Sequence, residues 1–122
     1  MAIGKIRRDP LDILFSKYMR LKSEGVCEHC LCTFPIGKLQ ISHLFGRRHK
    51  AVRWSERNVS VLCFTCHRQF HESPVDHVNW FMGKRGQQEY DLLLAELRTP
   101  AKYIDREGLT LYYKEKLKEL DK

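Results

Sequence analysis

The apolar positions change their period several times along the chain, and each change marks an element. Asp9 is a good helix N-cap and Pro10 suits the first helical position, after which Leu11, Leu14, Phe15 and Tyr18 recur at helical spacing until Gly25 stops the run. This predicts a helix over 10–25. Leu39-Gln40-Ile41-Ser42-His43-Leu44 and Val59-Ser60-Val61-Leu62 read as short strands. Between them Gly46-Arg47-Arg48-His49-Lys50 is a basic loop, and Ala51 to Trp54 is expected to be extended. Phe64 to His71 turns helical again, and Ser73-Pro74 reads as the cap and first turn of a further helix ending near Gly83 or Gly86. Residues 87–98 and about 105–121 give two more helical stretches separated by Thr99-Pro100, the first with Tyr90, Leu93, Leu94 and Leu97 as an apolar stripe.

A length of 122 residues suits a single domain over 1–122, divided as a helix at 10–25, a core at 26–75 and a helical tail at 76–122. With 43% hydrophobic and 30% charged residues the chain can bury a core, though a modest one that a metal would help to hold. The longest apolar runs, such as Leu92-Leu93-Leu94-Ala95, are far too short for a membrane span, and the opening MAIGKIRRDP has no apolar signal stretch, so neither membrane insertion nor secretion is expected. Charge is unevenly divided. Residues 1–75 hold 13 Lys and Arg against 6 Asp and Glu, while residues 76–122 hold 9 of each. All of the net +7 therefore lies in the front part, as expected for a region that binds a polyanion, with a neutral packing or docking tail behind it.

Five cysteines refine this picture. Cys27/Cys30 and Cys63/Cys66 are two Cys-x-x-Cys pairs, and two such knuckles can aim four sulfurs at one tetrahedral zinc. Disulfides are disfavoured without a signal peptide, and a redox pair would need only one motif. Cys32 is left over, either as a small buried hydrophobe, the preferred reading, or as a competitor of Cys30. His29 lies inside the first knuckle and could replace a thiolate, and His77 belongs to an amphipathic helix.

Around the second knuckle lie His43, Asn58, His67 and His71, in the order strand, loop, helix, helix. His67 and His71 are four apart, so on a helix they share a face and can grip one ion. His43 comes from a strand that can pair with Val59 to Leu62, so all three imidazoles are expected to converge.

The pattern Cys27-x-x-Cys30, Ile41-Ser42-His43, Asn58, Leu62-Cys63-x-x-Cys66-His67 resembles the HNH endonuclease family with a four-cysteine zinc, the ββα-metal fold. The segment Phe15 to Leu21, Arg53-Trp54 and the stretch around Gly86 resemble the phage NinG (Rap) recombination-endonuclease group, over roughly residues 11–98. The resemblance implies an α+β fold: a small zinc-stapled ββα-metal core with an N-terminal helix and a C-terminal helical extension. It implies a structural Zn2+ on the four cysteines and a divalent catalytic cation on His67 and His71, Mg2+ or Mn2+ first, with other transition metals open. His71 corresponds to the additional metal-binding His of colicin-like members. His43 would be the general base and Asn58 would constrain the loop that orients it. Many members carry Asp immediately before the motif His, where this chain has Ser42, a difference shared by NinG-like proteins.

The expected activity is metal-dependent hydrolysis of phosphodiester bonds in branched or recombination-intermediate DNA, in the cytoplasm of a bacterial host. Arg47, Arg48, His49, Lys50, Arg53 and Arg57 would contact DNA, branched or duplex, and a homodimer through the C-terminal helices would supply two active sites. The alternatives are a non-catalytic zinc-stapled nucleic-acid-binding module, which needs no strand-borne base, and a homing or restriction-type HNH nuclease, which usually needs extra specificity elements.

Overall fold

A computed structural model describes residues 8–121. Residues 1–7, read above for a targeting signal and for part of the basic charge, lie outside the described residues, as does Lys122. The first helix, α1, runs Pro10–Lys22, its start capped by Asp9 Oδ1, which accepts the Leu11 N–H at 2.9 Å. It stops earlier than expected because the chain turns away through two left-handed residues, Glu24 (φ 56°) and Gly25 (φ 86°). A Cβ on Gly25 would stand 2.8 Å from the Phe34 carbonyl oxygen, so only glycine lets the first cysteine knuckle fold back this closely.

Strands β1 (Gln40–His43) and β2 (Val59–Leu62) form a two-stranded antiparallel sheet, with Gln40 opposite Leu62 and His43 opposite Val59. Between them Lys50–Arg53 makes a short helix, α2. This corrects the expectation of extended chain at Ala51 to Trp54. Turn bonds from the Val52 N–H to the His49 carbonyl and from the Ser55 N–H to the Val52 carbonyl close the segment, and Val52 is inserted beside Phe81 and Leu93. Helix α3 (Phe64–Glu72) follows β2, then α4 (Pro74–Leu97) and α5 (Arg106–Leu120). Gly86, at φ 85° and ψ 166°, breaks α4 into 74–85 and 87–97, the division expected from the glycines. The result is a small α+β fold of five helices and one two-stranded sheet among the described residues.

The sheet sits between two apolar layers. Val59 and Val61 join Leu11, Phe15, Tyr18 and Met19 of α1 and Tyr113 of α5, while Leu62 joins Cys27, Cys63, Cys66 and Phe70. A third cluster, Val52, Phe81 and Leu93, holds α4 against α2. Each fully buried aliphatic or aromatic side chain here stabilises the fold by about 1.5–3 kcal/mol. Tyr113 packs on Phe15 and Tyr18 with ring centroids 5.0 and 5.5 Å away, and its hydroxyl donates to the Trp54 carbonyl, so the polar end is satisfied inside the core. Part of each tail stripe is turned inward, with Leu93, Tyr90 and Leu97 packed on α2's cluster and Leu109, Tyr113 and Leu117 on α1's, while Leu92, Leu111, Tyr112 and Leu120 stay exposed. No helix among the described residues is long and apolar enough to cross a membrane.

Candidate functional site

The two knuckles meet. Ligand sulfurs of Cys27, Cys30, Cys63 and Cys66 lie within 4.8 Å of one another, with Cys30 and Cys63 Sγ 4.0 Å apart. A tetrahedral zinc with bonds of about 2.3 Å has sulfur–sulfur edges of about 3.8 Å, so the quartet has the size and donor chemistry to hold a metal such as zinc. Local structure explains the convergence. Cys63 caps α3, its sulfur accepting the Cys66 N–H at 3.5 Å. Burial pushes the Cys66 thiol up, whereas a backbone hydrogen bond at Cys32 helps to lower exposed Cys30 to about 7. A bound cation would hold all four as thiolates.

Two expectations around this centre change. Cys32 is exposed, not buried, and stays outside the quartet, because the knuckle turns it to solvent with its sulfur 3.8 Å from the Cys30 carbonyl. His29 does not replace a thiolate: its Nδ1 lies 3.3 Å from Cys66 Sγ, where an N–H donates to the sulfur, and its ring packs on Phe70 and Trp80.

Asn58 is completely buried and organises the loop between the strands. Its Oδ1 accepts the Phe45 N–H at 2.9 Å, and its Nδ2 donates to the carbonyls of Phe45 at 2.9 Å and Val52 at 3.0 Å. Phe45 lies two residues after His43, and Val52 immediately precedes Arg53. One amide thus ties the end of β1 to the far end of the loop, and across that tie His43 Nε2 donates to the Arg53 carbonyl at 2.9 Å. A carbonyl can only accept, so the proton sits on Nε2 and Nδ1 keeps its lone pair. Burial lowers the His43 pKa, and neighbouring Arg47 and Arg53 push the same way, against the raising influence of the Arg53 carbonyl and Asp12.

His67 and His71 stand one turn apart on α3. His67 Nδ1 donates to Gln40 Oε1, which leaves Nε2 as its free donor atom; burial lowers its pKa, and His71 adds to the effect. His71 is exposed. The three imidazoles do not form one ligand group. Among the described residues the cysteine quartet is the only such group of three or more His, Cys, Asp or Glu. The strand period is the reason: His43 shares a face of β1 with Ile41, which packs on the α1 cluster, whereas Gln40 reaches His67 from the other face. Ser42, on the Gln40 face, is buried. His77, expected at the surface of its helix, is instead buried, because its ring stacks on Phe70 at 4.8 Å, and its Nε2 is unpartnered.

The basic residues divide into two sets. Asp12 accepts from Arg47, Arg53 and the Trp54 indole, and although burial opposes its charge these bonds outweigh it and lower its pKa. Arg57 pairs with Glu89 and Glu96. Arg53 and Arg57, expected as DNA contacts, are thus held in ion pairs that fasten the loop to α1 and α4. Arg48 and Lys50 are exposed and have no acidic partner among the described residues, while Arg48 Nε lies 3.3 Å from His49 Nε2. Asp12, Gln40, Glu28 and Arg85, which hold the site together, carry no local spacing signal; each meets its partner 25 or more residues away. Comparison with protein-family models, curated proteins and solved structures yields no match.

Proposed function

We propose that the protein is a metal-dependent DNA endonuclease of the HNH, or ββα-metal, kind, with β1, β2 and α3 as its core and branched or recombination-intermediate DNA as its substrate. The observation that carries the reading is the Asn58 tie, which fixes His43 against the Arg53 carbonyl. A loop that only binds nucleic acid has no need of a half-buried imidazole held in one orientation by a backbone carbonyl. A general base does.

In this reading His43 Nδ1 takes the proton of an attacking water, and its Nε2–H stays on the Arg53 carbonyl to keep the ring oriented. His67, turned by Gln40 so that Nε2 is free, and His71 would hold a divalent cation from the other face of β1, so the reading requires the scissile phosphate to lie at the end of the sheet, within reach of both. When bound, that cation supplies positive charge for the phosphate and the leaving oxygen. Two nitrogens favour Mn2+ or a later transition ion over Mg2+. The cysteine quartet would hold structural Zn2+, its four sulfurs closing the coordination shell. Arg48 and Lys50, on the loop that Asn58 ties, would meet backbone phosphates and give affinity with little sequence reading.

The test compares cleavage of a four-way junction, a flap and linear duplex with Mg2+, with Mn2+ and without added metal, using zinc-loaded protein. Metal-dependent cleavage with a preference for the branched substrates is expected. Binding without cleavage under every condition would overturn the proposal in favour of a zinc-stapled binding module, and sequence-specific cutting of duplex would point to a restriction-type enzyme.

A further inference from the structure

The segment carrying Asn58 is gripped from behind by one side chain. Arg85 is the last residue of α4 before its break at Gly86, whose positive φ lets the chain turn at this point. Its Nη1 donates to the carbonyls of Glu56 at 3.3 Å and Arg57 at 3.0 Å, and its Nη2 to the Val59 carbonyl at 2.6 Å and Ser60 Oγ at 3.4 Å. Asn58's own carbonyl accepts the Leu44 N–H at 2.9 Å, so all four carbonyls from 56 to 59 are engaged. The guanidinium lies over the Phe81 ring, 4.9 Å from its centroid, and reaches Glu28 Oε1 at 3.4 Å.

Glu28 belongs to the first cysteine knuckle, next to Cys27. Its N–H donates to the Val61 carbonyl at 2.9 Å, and its Oε2 accepts the Val61 N–H at 2.5 Å, so it pairs with the free edge of β2. Lys84 Nζ adds bonds to the Glu28 carbonyl at 3.1 Å and to Oε1 at 3.2 Å. A chain of bonds therefore runs from the knuckle through Glu28 and Arg85 to the Asn58 segment, and through Asn58 to Phe45 and Val52, which lie within two residues of His43 and of the Arg53 carbonyl that holds it.

We infer that Arg85 and Glu28 are positioning residues that couple the four-cysteine centre to the loop holding His43, making the knuckle a support for the imidazole as well as for the fold. The inference rests on the proposed role of His43 for its consequence in catalysis, but the coupling is measurable without DNA. Arg85 is needed as a planar fork, because its donors reach carbonyls spread over four residues; a lysine ammonium is a single point and cannot span them.

The experiment is 15N-resolved NMR of the imidazoles in the zinc-loaded full chain, for the native protein, Arg85→Lys and Glu28→Gln. Native His43 should be a single Nε2–H tautomer. Both variants should keep the metal yet show a mixture of His43 tautomers and a His43 titration moved up toward ordinary imidazole, since opening the loop relieves the burial that lowers it. The cleavage rate should fall by up to about a hundredfold with the KM for DNA little altered, as for a group displaced by about 1 Å. An unchanged His43 tautomer and titration in both variants, whatever happens to stability, would overturn the inference. Should Arg85→Lys not fold, Glu28→Gln decides alone. Absence of cleavage by the native protein would remove the endonuclease reading and leave the NMR result to judge the coupling.

Discussion

Replacing Asn58 with Ala removes three neutral hydrogen bonds, of 2.9, 2.9 and 3.0 Å, from a site with no solvent access. At about 1 kcal/mol net for each, with a further penalty for leaving the Phe45 N–H and carbonyl unpaired while the Val52 carbonyl keeps the Ser55 N–H, the loss is about 3–4 kcal/mol. A water entering the space left by the amide would hold the value near the lower end. For a chain of this size, with an urea m-value of about 2 kcal/mol/M, the midpoint should move down by about 1.5–2 M with little change in slope. Asn58→Asp sharpens the test. It keeps one acceptor but places a carboxylate oxygen against two carbonyl oxygens, so burial and repulsion raise its folded pKa above the unfolded value of about 3.9. At this site the folded state then binds more protons than the unfolded one, so relative to the native protein this variant should gain stability as pH falls. Urea titrations at pH 5 and 7.5 on zinc-loaded samples, followed by tryptophan fluorescence, measure both effects. A loss below about 1 kcal/mol for the Ala variant, or an Asp variant that weakens in acid more than the native protein does, would refute the assignment of Asn58 as the tie of this loop.

Three further outcomes are expected. Cys63→Ser should lose most of the bound zinc and the cooperative melt, whereas Cys32→Ser should bind about one zinc per chain as the native protein does; elemental analysis reads both. His43 and His77 have folded pKa values lowered by burial, so between those values and the unfolded value of about 6.5 the unfolded state binds more protons; stability should therefore fall as pH drops below about 6.5. His77→Gln should reduce that slope by up to one proton, and an unchanged slope would remove it from the acid response. Arg48→Ala and Lys50→Ala should each lower the salt dependence of DNA binding by about one unit, while Arg57→Ala should lower the melting temperature by breaking its pairs with Glu89 and Glu96; fluorescence binding at several salt concentrations and thermal melts separate the cases.

Much of the frame is legible in local sequence. The bounds of β2 follow from its apolar run, the start of α1 from Asp9-Pro10, the break in α4 from its glycines and the four-cysteine cluster from two knuckles, because each depends on neighbours only a few residues away. What escapes local reading is set by distant partners. The turn at Lys50–Arg53 exists because Val52 is drawn into the α4 cluster and its carbonyl is taken by Asn58. The basic residues look alike in sequence, yet Asp12 and the acids of α4 claim Arg53 and Arg57, and nothing in spacing distinguishes those from Arg48. The expected meeting of three imidazoles fails on strand parity, for Gln40 and His43 are three residues apart and emerge on opposite faces.

The most direct test of the account is single-turnover cleavage by His43→Ala beside His67→Ala, each first shown to retain zinc and native circular dichroism. His43→Ala should bind DNA and the catalytic metal normally, cut at least about a hundredfold more slowly, and gain nothing from added metal. His67→Ala should recover part of its activity as metal concentration rises, because it lacks a ligand and keeps its base. Native-rate cleavage by His43→Ala, or recovery of that variant with metal, would contradict the assignment of His43 as the base.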